Sequence, residues 1–287
     1  MSKVEHVLIA YGDQLGYHHG AKYQILRCWD RWYSGEGKSV CIVTDKPQIF
    51  EGYPLRVLQI TEQQIKEWSL GGLQHFGIKI KGLELAVETG MAEKYLLLDT
   101  DTYWVKDPSD LVGRIRQNSF VMYCDEGFIK NNKNKSISRF EEGLDNQTIA
   151  YGDKLYQLEN DSRMLNSSII GLHVSDVGLL DEAFKLFSVL EPLVEAHTVE
   201  QFSLAEALRR HRFHVEFGRS HTRDWSSIGR KNYVTPLLQS FFIQYGEHDF
   251  SRHLTLWNQI KVKRPLRTLL RQKYQRLVSK LNEKNLK

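Results

Sequence analysis

Four short apolar runs rich in strand formers dominate the first third of the chain: residues 7–11 (VLIAY), 40–44 (VCIVT), 55–60 (LRVLQI) and 94–105 (KYLLLDTDTYWV). Between them, apolar residues recur at spacings of three and four, as in residues 22–32 and 78–89. Continuous apolar runs too short for helices, separated by helical segments, describe buried parallel strands with crossover helices. Thr61 is placed to cap a helix over 62–68, and Gly90 to end the one before it. Further strands are expected at 120–124, 165–173 and 213–217, and helices at 176–190 and 199–211. Residues 127–161 are polar and predict a mobile loop or an insertion. The expected fold class is α/β, with a mixed, mostly parallel sheet.

The chain has 287 residues, of which 41% are hydrophobic and 26% charged, which suits a sizeable core and excludes global disorder. No internal repeat and no Gly/Ser/Pro linker divides it, so residues 1–260 read as one domain. No apolar run reaches the roughly 20 residues of a membrane-spanning helix. Cys28, Cys41 and Cys124 are too few and too scattered for a disulfide framework or a zinc knuckle. With a polar start and no signal-peptide core, they predict a cytoplasmic protein.

Asp99-Thr100-Asp101 follows the strongest apolar run. In extended chain, residues two apart face the same side. Both carboxylates then converge beyond the strand end, where parallel sheets bind ligands. Two close carboxylates repel unless a cation lies between them, and oxygen ligands favour Mg²⁺ or Mn²⁺ completed by phosphates.

The stretch LLLDTDTYWVKDP, residues 96–108, resembles the metal-binding signature of glycosyltransferases of the GT-A fold. It is most similar to the retaining hexosyltransferases related to glycogenin and the bacterial lipopolysaccharide galactosyltransferases. The resemblance implies a single GT-A, Rossmann-like domain. It implies that Asp99 and Asp101 hold Mn²⁺ or Mg²⁺ and, with Thr100, the diphosphate of a nucleotide-sugar, a UDP-sugar being favoured. It places Tyr11 near the donor base and Lys79, or its neighbour Lys81, near the donor phosphates. Asn166 and Ser167 fall where the family contacts the sugar and acceptor, although Ser168 stands where a glycine is expected. A late-loop histidine, His221, is the implied third metal ligand, with His248 and His253 as rivals. Glu200, before Gln201 at a helix start, is the implied catalytic carboxylate. It would be the base on the acceptor hydroxyl if the reaction inverts, and would position substrate if it retains, the favoured outcome. The product would be a glycan or glycolipid of lipopolysaccharide or cell-surface polysaccharide type.

The net charge of +4 conceals an asymmetry. Residues 261–287 carry ten Lys or Arg against Glu283 alone, so the remainder is acidic. After Pro265, Leu266, Leu269, Leu270, Tyr274, Leu277, Val278 and Leu281 recur at helical spacing. A basic amphipathic helix suits an anionic membrane surface, so residues 262–287 predict a peripheral protein of the inner membrane face. Packing on the protein's own body is the competing role. Nucleic acid is disfavoured, because no zinc, helix-turn-helix or RNP pattern accompanies the charge. Two other functions remain open. One is a phosphatase of the haloacid dehalogenase type, although Tyr103 stands where that motif wants Thr or Val. The other is a non-catalytic membrane-binding module.

Overall fold

The structure, a computed structural model, describes residues 3–33 and 37–263. Its strands are β1 (Val4–Ile9), β2 (Lys38–Thr44), β3 (Arg56–Gln59), β4 (Lys94–Leu98), β5 (Thr102–Trp104), β6 (Ser119–Phe128), β7 (Ile149–Tyr151), β8 (Lys154–Tyr156), β9 (Arg163–His173), β10 (His214–Phe217) and β11 (Thr222–Asp224). Its α-helices are α1 (Leu15–Cys28), α2 (Glu62–Trp68), α3 (Gly77–Thr89), α4 (Ser109–Arg114), α5 (Lys135–Leu144), α6 (Gly178–Leu190), α7 (Val199–Arg210), α8 (Ile228–Tyr245) and α9 (Phe250–Leu256).

Seven strands form one sheet in the order β10-β6-β9-β4-β1-β2-β3. All pairings are parallel except those of β9, which runs against both β4 and β6. The chain is therefore α/β with a mostly parallel mixed sheet, consistent with a Rossmann-like arrangement.

Both faces of the sheet are covered. Along β1 and β2, Leu8, Val40 and Ile42 pack with residues of α1 and α8, while Val7, Cys41 and Val43 pack with those of α3 and α6. This is why these strands read as unbroken apolar runs rather than alternating ones. Each such Val, Leu or Ile contributes about 1.5–3 kcal/mol on burial.

Three expectations are corrected. β1 begins three residues earlier than the apolar run, because Glu5 and His6 are also buried. Glu5 pairs with Arg56 and bonds Ser39, and the His6 ring lies 4.5 Å from that of Tyr33. The first helix starts at Leu15 rather than Lys22, and a π-helical turn, Trp29–Tyr33, follows it. Residues 127–161 are not an irregular loop: they hold the end of β6, α5 and the β7–β8 hairpin. Ile137, Phe140, Leu144 and Tyr156 bury against Phe187, Leu190 and Phe202 as a third core.

The expected C-terminal helix spans residues 262–287; Val262 and Lys263 are not helical, and the rest lies outside the described residues. Among the described residues no helix is long and apolar enough to cross a membrane.

Candidate active site

β4 ends at Leu98, and Asp99, Thr100 and Asp101 form a turn rather than the extended segment expected. Thr102 N donates to Asp99 O at 2.9 Å, closing that turn. The turn stands at the carboxyl ends of β1, β2 and β4. Because β9 runs the opposite way, its first half arrives at the same place: Asp99 N donates to Ser168 O at 3.0 Å. One reversed strand thus brings Ser167 beside the acid pair.

Two ammoniums flank the carboxylates. Lys79, on α3, lies 2.8 Å from Asp99 Oδ1 and 3.7 Å from Glu200 Oε1. It also donates to Ser167 Oγ at 3.0 Å. Lys231, on α8, lies 3.0 Å from Asp101 Oδ2. Lys81 turns elsewhere and pairs with Glu84. Glu200 enters from the first turn of α7 and is buried. Its Oε1 accepts from Ser167 Oγ at 2.9 Å, while Oε2 has no hydrogen-bond partner among the described residues. Gln201 Oε1 accepts from Ser167 N at 3.2 Å and fixes the strand against the helix.

The electrostatics follow from this crowding. Burial and then Asp99 push the Asp101 carboxyl above its usual range, against the pull of Lys231 and Lys79. Burial also raises Glu200, with Lys79 and Ser167 opposing it. Burial works against the charge on Lys79, but Asp99 and Glu200 outweigh it and the ammonium titrates above its ordinary value. Lys231 behaves likewise: burial opposes its charge and Asp101 more than restores it.

Tyr11 lies at the end of β1, where its hydroxyl donates to His75 O at 2.9 Å. Burial, then Tyr17, Glu200 and Asp99, raises its phenol. Thr100 and Asp101 line a cavity of about 690 Å³ that continues past Asp13, Tyr17, Trp225 and Lys231 to Gln239. Asn166 is turned away: its Nδ2 donates to Glu126 Oε1 at 3.0 Å, and its Oδ1 accepts from Ser168 N at 2.9 Å.

His221 is not brought to the acid pair. β11 pairs antiparallel with β5, matching Thr222 to Trp104 and Asp224 to Thr102. Trp225 N donates to Asp101 O at 2.8 Å, whereas His221 O accepts from Val105 N at 2.7 Å. Four residues of strand, about 13 Å, therefore separate the histidine from the turn. Its imidazole instead faces Asp110, 2.9 Å away, and Ser220, 3.1 Å away. His253 is also committed, to Tyr53 Oη at 2.8 Å and Gly246 O at 2.6 Å.

Lys231 is the member of this cluster that sequence order did not isolate. α8 carries Pro236 within it and polar residues around Lys231, so its sequence shows no clear apolar rhythm.

Among the described residues no three His, Cys, Asp or Glu side chains gather as a metal-binding group. Asp99 and Asp101 remain as a two-carboxylate set, which suits Mg²⁺ or Mn²⁺ when substrate phosphates and water complete the shell. The charge count supports that fit. Three carboxylates, of Asp99, Asp101 and Glu200, face the two ammoniums of Lys79 and Lys231. The remaining negative charge opposes a diphosphate unless a divalent cation enters with it.

No protein-family model matches the chain, and no curated protein matches it either.

Proposed function

We propose that the protein is a metal-dependent glycosyltransferase of GT-A type, transferring a hexose from a nucleotide-sugar to a glycan or glycolipid. The observation that carries this reading is the Asp99–Asp101 turn at the carboxyl end of β4, held between Lys79 and Lys231 beside the 690 Å³ cavity. Two carboxylates and two ammoniums around one point suit a metal–diphosphate pair better than either part alone.

Asp99 and Asp101 would hold Mn²⁺ or Mg²⁺, and the ion, when bound, neutralises charge on the departing nucleoside diphosphate. Lys231 lines the cavity, where it would donate to a phosphate oxygen in exchange for Asp101. Tyr11 offers a ring at the end of β1 for a base. Ser167 and Glu200, both buried and linked to Asp99 through Lys79, would serve the sugar and acceptor. The free, buried Oε2 of Glu200 is an acceptor for a hydroxyl, and its raised pKa suits a group that receives a proton. In a retaining reaction the same oxygen orients the acceptor. The basic segment 262–287 would hold the body against an anionic membrane, close to a lipid-linked acceptor.

The test is binding and slow hydrolysis of UDP- and GDP-sugars with Mn²⁺. Turnover lost in Asp101→Ala supports the reading. Failure of every nucleotide-sugar to bind or turn over rejects it.

A further inference from the structure

The geometry points to Gln24 as a positioning residue that fixes the Asp99–Asp101 turn from the helix beneath it. α1 presents Gly20, Gln24 and Arg27 on one face, at the spacing of successive turns. Each meets the main chain of residues 99–104. Gln24 Nε2 donates to Asp99 O at 2.7 Å. Arg27 Nε donates to Trp104 O at 2.9 Å. At Gly20 the Thr100 carbonyl comes so close that a Cβ would collide with it.

Gln24 is fully buried, and its Oε1 has no hydrogen-bond partner among the described residues. A buried amide with one end unsatisfied is unfavourable where an apolar side chain would fill the space. What the amide supplies that an apolar residue does not is the N–H to Asp99 O. That carbonyl also accepts from Thr102 N, so the two donors together set the plane of the peptide joining Asp99 to Thr100. The directions of both carboxylates follow from that plane. Lys79 and Lys231 reach them on separate helices and cannot correct a turn that slips.

The inference rests on the reading that Asp99 and Asp101 hold a divalent cation. Mn²⁺ is therefore titrated into the full-length protein and followed by the loss of the free-ion paramagnetic resonance signal. Gln24→Met should weaken Mn²⁺ binding by about tenfold, the cost of losing a group that orients a ligand from behind. Gly20→Ala, which pushes on the same turn from a different atom, should weaken it as well. Leu190→Ala, a core truncation at the end of α6, should lower thermal stability yet leave Mn²⁺ affinity unchanged. Wild-type affinity in Gln24→Met and Gly20→Ala overturns the role of α1 while leaving the metal reading intact. A wild-type protein that binds no Mn²⁺ overturns both.

Discussion

Lys231 Nζ lies 3.0 Å from Asp101 Oδ2, which ties the second carboxylate of the turn to the first turn of α8. The pair is partly exposed, so its own contribution to stability is small. It also sets a cation on the lining of the 690 Å³ cavity. Lys231→Met should lower the affinity for a nucleoside diphosphate about tenfold, as for one lost charged hydrogen bond. The thermal midpoint should move little. Calorimetric titration with UDP, with and without Mn²⁺, measures the first, and a thermal melt the second.

Glu200 is retained against its own burial. In Glu200→Gln the charge disappears while the shape stays, and Lys79 keeps Asp99 as a partner. The variant should melt about 2–4 °C higher, the shift expected for about 1 kcal/mol in a domain of this size. Sugar transfer should fall roughly a hundredfold, the lower range for a positioned acid or base. A variant that is both less stable and fully active contradicts this role.

Acid sensitivity should come from the other end of α8. Burial holds His19 at about 4, with Lys22 contributing to the depression and Glu247 opposing it. An unfolded histidine titrates near 6.5, roughly, so its stabilising neutral form is complete above that pH and is lost as pH falls toward the folded value. The shift corresponds to about 3 kcal/mol. Glu247 adds in the same direction. Burial raises it, but Lys22 and His19 outweigh burial and hold it below its ordinary value, so its stabilisation also fades with acid. His19 stacks on Phe242, so His19→Phe should flatten the decline in thermal midpoint between pH 6.5 and about pH 4, the window between the two histidine values. An unchanged decline would assign the sensitivity to other groups.

Removal of residues 262–287 should abolish sedimentation with anionic vesicles and preserve the circular dichroism of the body. Each Lys or Arg near such a surface contributes about 1 kcal/mol, so the loss should be large and should be mimicked by high salt. Equal sedimentation of the truncated protein would exclude a membrane role for the segment.

The parallel half of the sheet was legible because strands buried on both faces must be apolar throughout, as Leu96, Leu97 and Leu98 are. The placement of Asp99 and Asp101 followed from that. What composition hid was structure made by polar or small residues. The start of α1, with Gly16, His18, His19 and Gly20, resembles a loop until its neighbours are seen. Gly16 then faces Thr235 at 2.9 Å from where a Cβ would stand, and Gly20 faces Thr100. Residues 127–161 hid a helix and a hairpin for a similar reason, because their apolar residues are sparse and meet only in three dimensions. His221 was misplaced because chain order near a site does not specify strand register, and the pairing of β11 with β5 sets it beside Val105.

The lobe formed by α5 and the β7–β8 hairpin has a consequence for how such a protein diversifies. It packs on α7 through Phe140 against Phe202, with ring centroids 4.7 Å apart, two residues from Glu200. Lys231 reaches the acid turn from α8, which adds no residue to this third core, whereas α3, which carries Lys79, touches it where Gly77 meets Phe187. Exchanging the lobe would therefore reach Glu200 and, through it, Lys79, while the Asp101–Lys231 pair stays apart. A lineage built on this body could vary the surroundings of Glu200 and keep the Asp101–Lys231 pair.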